Sequence, residues 1–239
     1  MEVCVEGLIK TFGGRTALDI ERCHVSQGEI VGLVGNNGAG KTTLFRLMMD
    51  LIRSDKGHVD IGEYRVAESE DWKTYVAAFI DAGFLIDFLV PEEYFEFIAR
   101  IYRVSQADLE LRLAGFDRFM GGEILGQKKY IRNFSAGNKQ KIGIIGALIT
   151  GAPLIILDEP FNYLDPTSQL LIRNIIGEYN KSTGATVWVS SHNLNHVADL
   201  CRRVILLKDG KILHDMDNTG KQAEAQLLRY FSIDGDDIL

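Results

Sequence analysis

The chain has 239 residues and is 46% hydrophobic, enough to bury roughly 70–75% of its unfolded surface and to fold without covalent staples. Lys and Arg number 26 against 33 Asp and Glu, a net charge of −7, which argues against a dedicated nucleic-acid binder. Cys4, Cys23 and Cys201 form no C-x-x-C pair, as expected for reduced thiols in a cytosolic protein, and no run reaches the ~18 apolar residues of a membrane span.

Residues 3–9 and 17–25 read as strands joined by the turn Gly13-Gly14. Phe12 stands at that turn. It could stack on a nucleotide base, but the local pattern alone favours an ordinary hairpin core residue.

A short apolar run over residues 30–34 then breaks into Gly35-Asn36-Asn37-Gly38-Ala39-Gly40-Lys41-Thr42, and helical spacing resumes at Leu44, Leu47 and Met48. Strand, glycine-rich loop and helix are the context that makes G-x-x-x-x-G-K-T a phosphate site. The glycines let successive backbone N–H groups turn toward one point that a side chain would block. Lys41 brings a flexible positive charge to phosphate oxygens, the Thr42 hydroxyl can bind Mg2+, and the new helix directs its positive end there. Thr43 lies beside them with a lesser role.

Residues 57–61 and 75–80 look like further strands, with Trp72 expected as a packing residue between them. From Pro91 the pattern turns helical through Tyr94, Phe95, Ile98, Ile101 and Tyr102; a second helix is expected over 105–113, and residues 116–133 read as irregular. Ser135 is an N-cap for a helix with apolar positions Ile142, Ile145, Leu148 and Ile149. Leu154-Ile155-Ile156-Leu157 is a strand buried on both faces, and it delivers Asp158 and Glu159 to the carboxyl edge of a sheet. Alternation points the two carboxylates in different directions, so that Asp158 can hold Mg2+ while Glu159 orients or deprotonates an attacking water.

A tight connection over 160–166 leads to a helix over 169–179 and a buried strand over 185–190 that ends in Ser191-His192. His192 thus falls on the same edge as the phosphate loop, where a ring N–H could reach a terminal phosphate. His196 completes H-x-x-x-H, but Asn193 stands where the zinc protease motif has glutamate, so zinc is not expected. Residues 203–207 and 211–214 flank the hairpin signal Asp209-Gly210, and residues 219–239 could form one amphipathic helix.

Together these stretches resemble the ATP-binding subunit of an ABC transporter, from Val3 to about Asp215. The family's phosphate loop corresponds to Gly35, Asn36, Asn37, Gly38, Ala39, Gly40, Lys41 and Thr42, its magnesium and general-base acids to Asp158 and Glu159, and its switch histidine to His192. Phe12 falls where the family places an adenine-stacking aromatic, which overrides the reading as hairpin core. The signature, usually L-S-G-G-Q, is matched by Phe134-Ser135-Ala136-Gly137-Asn138 with three departures. Asp81 takes the place of a glutamine that helps ligate Mg2+ and links the site to the membrane partner.

The resemblance implies a single α/β domain over 1–239: a P-loop NTPase of ABC type with a mainly parallel core sheet, an antiparallel β subdomain, a helical insertion over about 91–150 and a short tail over 215–239. It implies ATP and Mg2+ as cofactors, and catalysis by Lys41, Glu159 and His192. Phe12, the phosphate loop, Thr43 and the signature residues Ser135, Ala136, Gly137 and Asn138 would bind nucleotide, and Thr42, Asp158 and Asp81 the metal. The active form would be a head-to-tail homodimer, or a pair with another ATPase subunit, in which residues 162–165 cross the interface. A separate permease would place it at the cytoplasmic face of the membrane, and compact length with a short tail resembles the ATPases of export systems. The rival is a soluble ABC-type ATPase that remodels ribosomes or nucleic acid.

Overall fold

A computed structural model describes residues 1–219. Alternating apolar residues fold the start of the chain into the antiparallel pair β1 (Val3–Phe12) and β2 (Arg15–Val25), running from Val3 opposite Val25 to Phe12 opposite Arg15. Gly13 and Gly14 close the hairpin with positive φ, which a residue with a Cβ reaches only at a cost. The chain continues through β3 (Ile30–Val34), α1 (Lys41–Met48), β4 (Lys56–Ile61), the two-residue β5 (Tyr64–Arg65) and β6 (Val76–Phe79). A helical region follows, with α2 (Pro91–Ile101), α3 (Gln106–Ala114), α4 (Asp117–Met120) and α5 (Ala136–Leu148). Strands and helices then alternate as β7 (Leu154–Leu157), α6 (Pro166–Thr183), β8 (Thr186–Ser191), α7 (Leu194–Ala198), β9 (Arg203–Lys208) and β10 (Lys211–Asp217).

Two sheets result. One is antiparallel with the order β2-β1-β4-β5; the other runs β10-β9-β3-β8-β7-β6, parallel from β9 to β6 and closed by antiparallel β10. The expected α/β architecture with a mainly parallel core is therefore present. The core sheet is apolar on both faces because each face is covered. Leu154, Ile156 and Trp188 join Phe45 of α1 and the antiparallel sheet, and Phe45 meets Trp188 edge to face at 6.2 Å. Ile155, Leu157, Val187 and Val189 face the opposite way, toward α2, α5 and α6.

Several local expectations change. Within α2 the buried face is Tyr94, Phe95 and Ala99, whereas Ile101 is exposed and Ile98 and Tyr102 are half-buried. Periodicity located the stripe but not which edge of it meets the core. Residues 116–133 are less irregular than expected, since they hold α4 and a 3-10 turn over Ile131–Asn133. Helix α6 begins earlier and ends later than its apolar pattern, because Asp165 caps it by accepting from the N–H groups of Thr167 and Ser168 and Gly184 ends it with positive φ. Trp72 is a packing residue as expected, buried in a 3-10 turn and donating to Val66 O at 3.1 Å. Among the described residues no helix is long and apolar enough to cross a membrane. The helix expected over 219–239 lies, apart from Thr219, outside the described residues.

Candidate functional site

The carboxyl ends of β3, β7 and β8 lie side by side, and each hands its next residues to one place. From β3 the chain enters the loop before α1, where Asn36, Asn37 and Gly38 are exposed and Ala39 and Gly40 are buried. The glycines there have different reasons. Gly38 has φ +84° with open space around a would-be Cβ, leaving the backbone free for an approaching phosphate. Gly35 has no positive φ; a Cβ on it would stand 2.3 Å from Leu207 O, so β9 requires glycine there. Gly40 combines φ +109° with a would-be Cβ 2.8 Å from Ala17 O of β2. Phosphate access thus explains Gly38, and close backbone packing explains the other two.

Lys41 is only 5% exposed. Its ammonium donates to Gly35 O at 2.7 Å and Asn36 O at 3.3 Å, and lies 3.2 Å from Glu159 Oε1. Thr42 Oγ1 donates to Asp158 Oδ2 at 2.6 Å, while Ser190 Oγ of β8 donates to Asp158 Oδ1. Burial pushes the Asp158 carboxyl above its ordinary range, against the hydrogen bonds from Ser190 and Thr42 that favour the charged form. A buried carboxylate flanked by a threonine hydroxyl is a hard-oxygen donor set that fits Mg2+, an ion bound through one or two carboxylates plus substrate phosphates. Mg2+ bound there would supply the positive charge that burial withholds from Asp158.

Glu159 points elsewhere, but not through the strand alternation that the sequence suggested, because β7 ends at Leu157 and Glu159 has φ +47°. Its Oε2 lies 2.9 Å from His192 Nδ1 and accepts from the His192 backbone N–H at 3.3 Å. Its Oε1 is buried and accepts no hydrogen bond, because the Lys41 ammonium is within ion-pair distance but not aligned to donate. Lys41 and His192 therefore converge on one carboxylate, that of Glu159. His192 sits in the turn before α7 and His196 within it, so the two rings do not share a helical face; His196 packs 4.7 Å from the Phe161 ring, and burial lowers its pKa.

Thr42, Asp81, Gln140, Asp158, Glu159 and Tyr163 line a hollow of about 630 Å³ together with Ala136. Asp81 is half-exposed on its wall, where Oδ1 accepts from Gly83 N at 2.6 Å and Oδ2 lies 3.9 Å from an Arg46 nitrogen. That arginine offsets the extra negative charge. A hollow of about 300 Å³ borders Gly35, Asn36, Asn37, Gly38 and Ala39, with Arg15 on its rim. Phe12 pairs with Arg15 across the hairpin and is half-exposed, with the Lys10 ammonium 5.3 Å from its ring centroid. Thr43 is half-buried in the first turn of α1.

The signature segment opens α5, and its Ala136 lines the same hollow as Thr42 and Asp158. Ser135 caps α5 by accepting from Asn138 N at 3.2 Å, and Ser135 and Ala136 face solvent. Gly137 is held close to Tyr163, where a Cβ would lie 2.7 Å from Tyr163 O, and the Asn138 amide donates to Glu123 at 3.1 Å. Sequence reasoning missed Ser190, Gln140 and Arg15. The register of β7 with β8 pairs Leu157 with Val189 and so sets Ser190 beside Asp158, which no local pattern reveals. Another hollow, of about 720 Å³, lies at the other end of the sheet, where Arg203 pairs with Glu29 and Asp215, and Arg173 with Asp199.

The profile of the family described as ABC transporter matches residues 18–162, which take in the phosphate loop, the signature and both acids. The chain belongs to the ABC transporter family. As a member it is an ATPase of the ABC type. An uncharacterized ABC transporter ATP-binding protein of Synechocystis is 31% identical over 79% of this chain, which spans 53% of that relative's length. The bacitracin transport ATP-binding protein of Bacillus licheniformis is 31% identical over 87% of this chain and 67% of its own. The tungstate uptake system ATP-binding protein of Peptoclostridium acidaminophilum is 29% identical over 89% and 97%. Among solved structures, the ATP-binding subunit of an ABC transporter superposes with a TM-score of 0.83 at 28% identity, covering 95% of this chain and 94% of that one. A dimeric ATP-binding cassette bound to ADP and Pi reaches 0.79 at 23% identity, covering 90% of this chain and 98% of that one, and shares the fold.

Proposed function

We propose that two copies of this ABC-type ATPase close head to tail on two ATP molecules and that the closing and reopening drive a membrane-spanning permease. The observation that carries this reading is the convergence of Lys41, Glu159 and His192 within 3.3 Å contacts at the edge of the core sheet. ATP phosphates would lie against the N–H groups from Asn36 to Thr42, with the Lys41 ammonium turned onto them. Glu159 would take the proton of the attacking water, held by the His192 backbone N–H and ring, while the His192 ring reaches the γ-phosphate. Thr42 and Asp158 would hold Mg2+, with Asp81 beside them. Phe12 would stack on adenine. Ser135, Ala136, Gly137 and Asn138 would contact the γ-phosphate held by the partner copy, which fits an exposed Ser135 and Ala136 at the start of a helix.

The permease reading gains from Phe84 and Phe88, which are 53% and 62% exposed just after Asp81 and offer an apolar ledge where α2 begins. Direction belongs to the permease: relatives of nearly equal identity serve bacitracin transport and tungstate uptake. The expected export direction therefore rests on no residue of this chain. In the cell the protein would sit at the cytoplasmic face of the membrane. Tagging it in its native host, solubilising membranes gently and identifying copurified chains by mass spectrometry tests the proposal. A multi-span hydrophobic partner is expected; recovery with ribosomal or nucleic-acid proteins alone would point to a soluble remodelling ATPase instead.

Asp81 gives a sharper test of the metal site. Replacing its carboxylate by an amide removes one negative charge from the wall of the hollow. ATPase rates of Asp81→Gln titrated with Mg2+ should then show a half-saturating concentration raised about tenfold, the scale of partners that tune metal affinity. Superimposable titrations of variant and parent would remove Asp81 from the metal site.

A further inference from the structure

Glu159 has φ +47°, a left-handed backbone that is uphill for any residue with a Cβ and is kept only where the surroundings over-determine it. Both of its peptide groups are tied to buried side chains. On one side Glu159 N donates to Ser190 Oγ at 2.8 Å. On the other, Glu159 O accepts from Gln140 Nε2 at 2.9 Å and from Asn162 N at 3.1 Å. Gln140 is 5% exposed, so an amide has been buried inside the protein and its Nε2 is spent on a single backbone carbonyl. Leaving such a group unpaired in the interior is costly, which makes the bond a strong restraint on whatever it holds.

We infer that Gln140 is a positioning residue: its hydrogen bond to the Glu159 carbonyl fixes the left-handed backbone that aims the Glu159 carboxylate at the reacting water. The inference rests on the reading of Glu159 as the base. Gln140 lies in the second turn of α5, five residues after Ser135, so the helix whose start carries the signature is bonded directly to the base of its own chain. A shift of α5 on meeting a second copy is thereby felt at Glu159, while a lone copy lacks that input. This supplies a physical link by which closure over one site aligns the base of the other.

Gln140→Met keeps an unbranched side chain of similar length and removes the donor; Gln140→Asn keeps the amide but withdraws it by one methylene. Steady-state ATPase of the purified full-length chain with MgATP should show kcat lowered about 10- to 100-fold in Gln140→Met and less in Gln140→Asn, with KM for ATP unchanged, the scale expected for a base displaced by about 1 Å. The double variant Gln140→Met with Glu159→Gln should turn over no more slowly than Glu159→Gln alone, because a residue that acts through the carboxylate has nothing left to position. Parent-like kcat in Gln140→Met, or losses that multiply in the double variant, would overturn the inference. Parent-like turnover in Glu159→Gln alone would instead overturn the reading of the base beneath it. Should Gln140→Met not fold, as judged by circular dichroism, Gln140→Asn and its double variant carry the same comparison.

Discussion

Glu159→Gln should lower ATP turnover about 100- to 10,000-fold while leaving ATP binding intact, the span that a positioned general base contributes. The amide is nearly the same shape as the carboxylate and can still meet the His192 backbone N–H, which now donates to Oε2 at 3.3 Å. What it cannot do is take a proton from water. It also removes the negative charge 3.2 Å from the Lys41 ammonium, which frees that charge for phosphate rather than weakening the loop. Single-turnover hydrolysis alongside equilibrium binding of a fluorescent ATP analogue separates the two effects. Lost binding in this variant would mean that Glu159 supports the loop and does not act on water.

Lys41→Ala should do the reverse. The lysine is the buried cation of the site, and three oxygens face it: Gly35 O, Asn36 O and Glu159 Oε1. Its removal leaves Glu159 Oε1 buried with neither a hydrogen bond nor a counter-charge and takes the point charge away from the phosphates. Truncating one partner of a buried charged pair costs roughly 2–5 kcal/mol, so affinity for MgATP should fall about 30- to 5,000-fold. Isothermal titration of the variant measures this directly. Affinity within threefold of the parent would show that the backbone N–H groups hold the triphosphate without Lys41.

The core strands at 30–34 and 154–157 were legible residue by residue, because each is a continuous apolar run bounded by a glycine or an acid, and burial on both faces leaves no other placement. Lys41, Thr42, Asp158, Glu159 and His192 were legible for a related reason. Each follows or opens an element whose end is set by parallel topology, so all five reach one edge. The helical region was less readable: an apolar stripe fixes a face of α2 but not which residues at its rim are covered, and Ile101 lies exposed. Gly35 and Gly40 read as phosphate-loop glycines, yet the contacts that demand glycine there come from Leu207 and Ala17, outside the loop. Ser190 and Gln140 could not be found locally at all. One depends on strand register and the other on a helix that packs across the sheet edge, so only tertiary structure shows that both converge on Glu159.

In the proposed closure, that convergence would couple bound ATP to a second copy. Within one chain the phosphate loop, the acids and His192 share one sheet edge, and Ser135 and Ala136 face solvent at the start of α5, where the proposal has a partner copy meet them. Closure would then depend on a γ-phosphate that both halves hold, and its hydrolysis would remove the reason to stay closed.

Light scattering coupled to size exclusion of Glu159→Gln, run with and without MgATP, tests the shared site most directly. A monomer mass without nucleotide and a dimer mass with it is the expected result, lost again when Ser135 is changed to a bulky residue in the same background. A single mass under both conditions would contradict the account, because a base variant that binds ATP without hydrolysing it has every reason to remain closed.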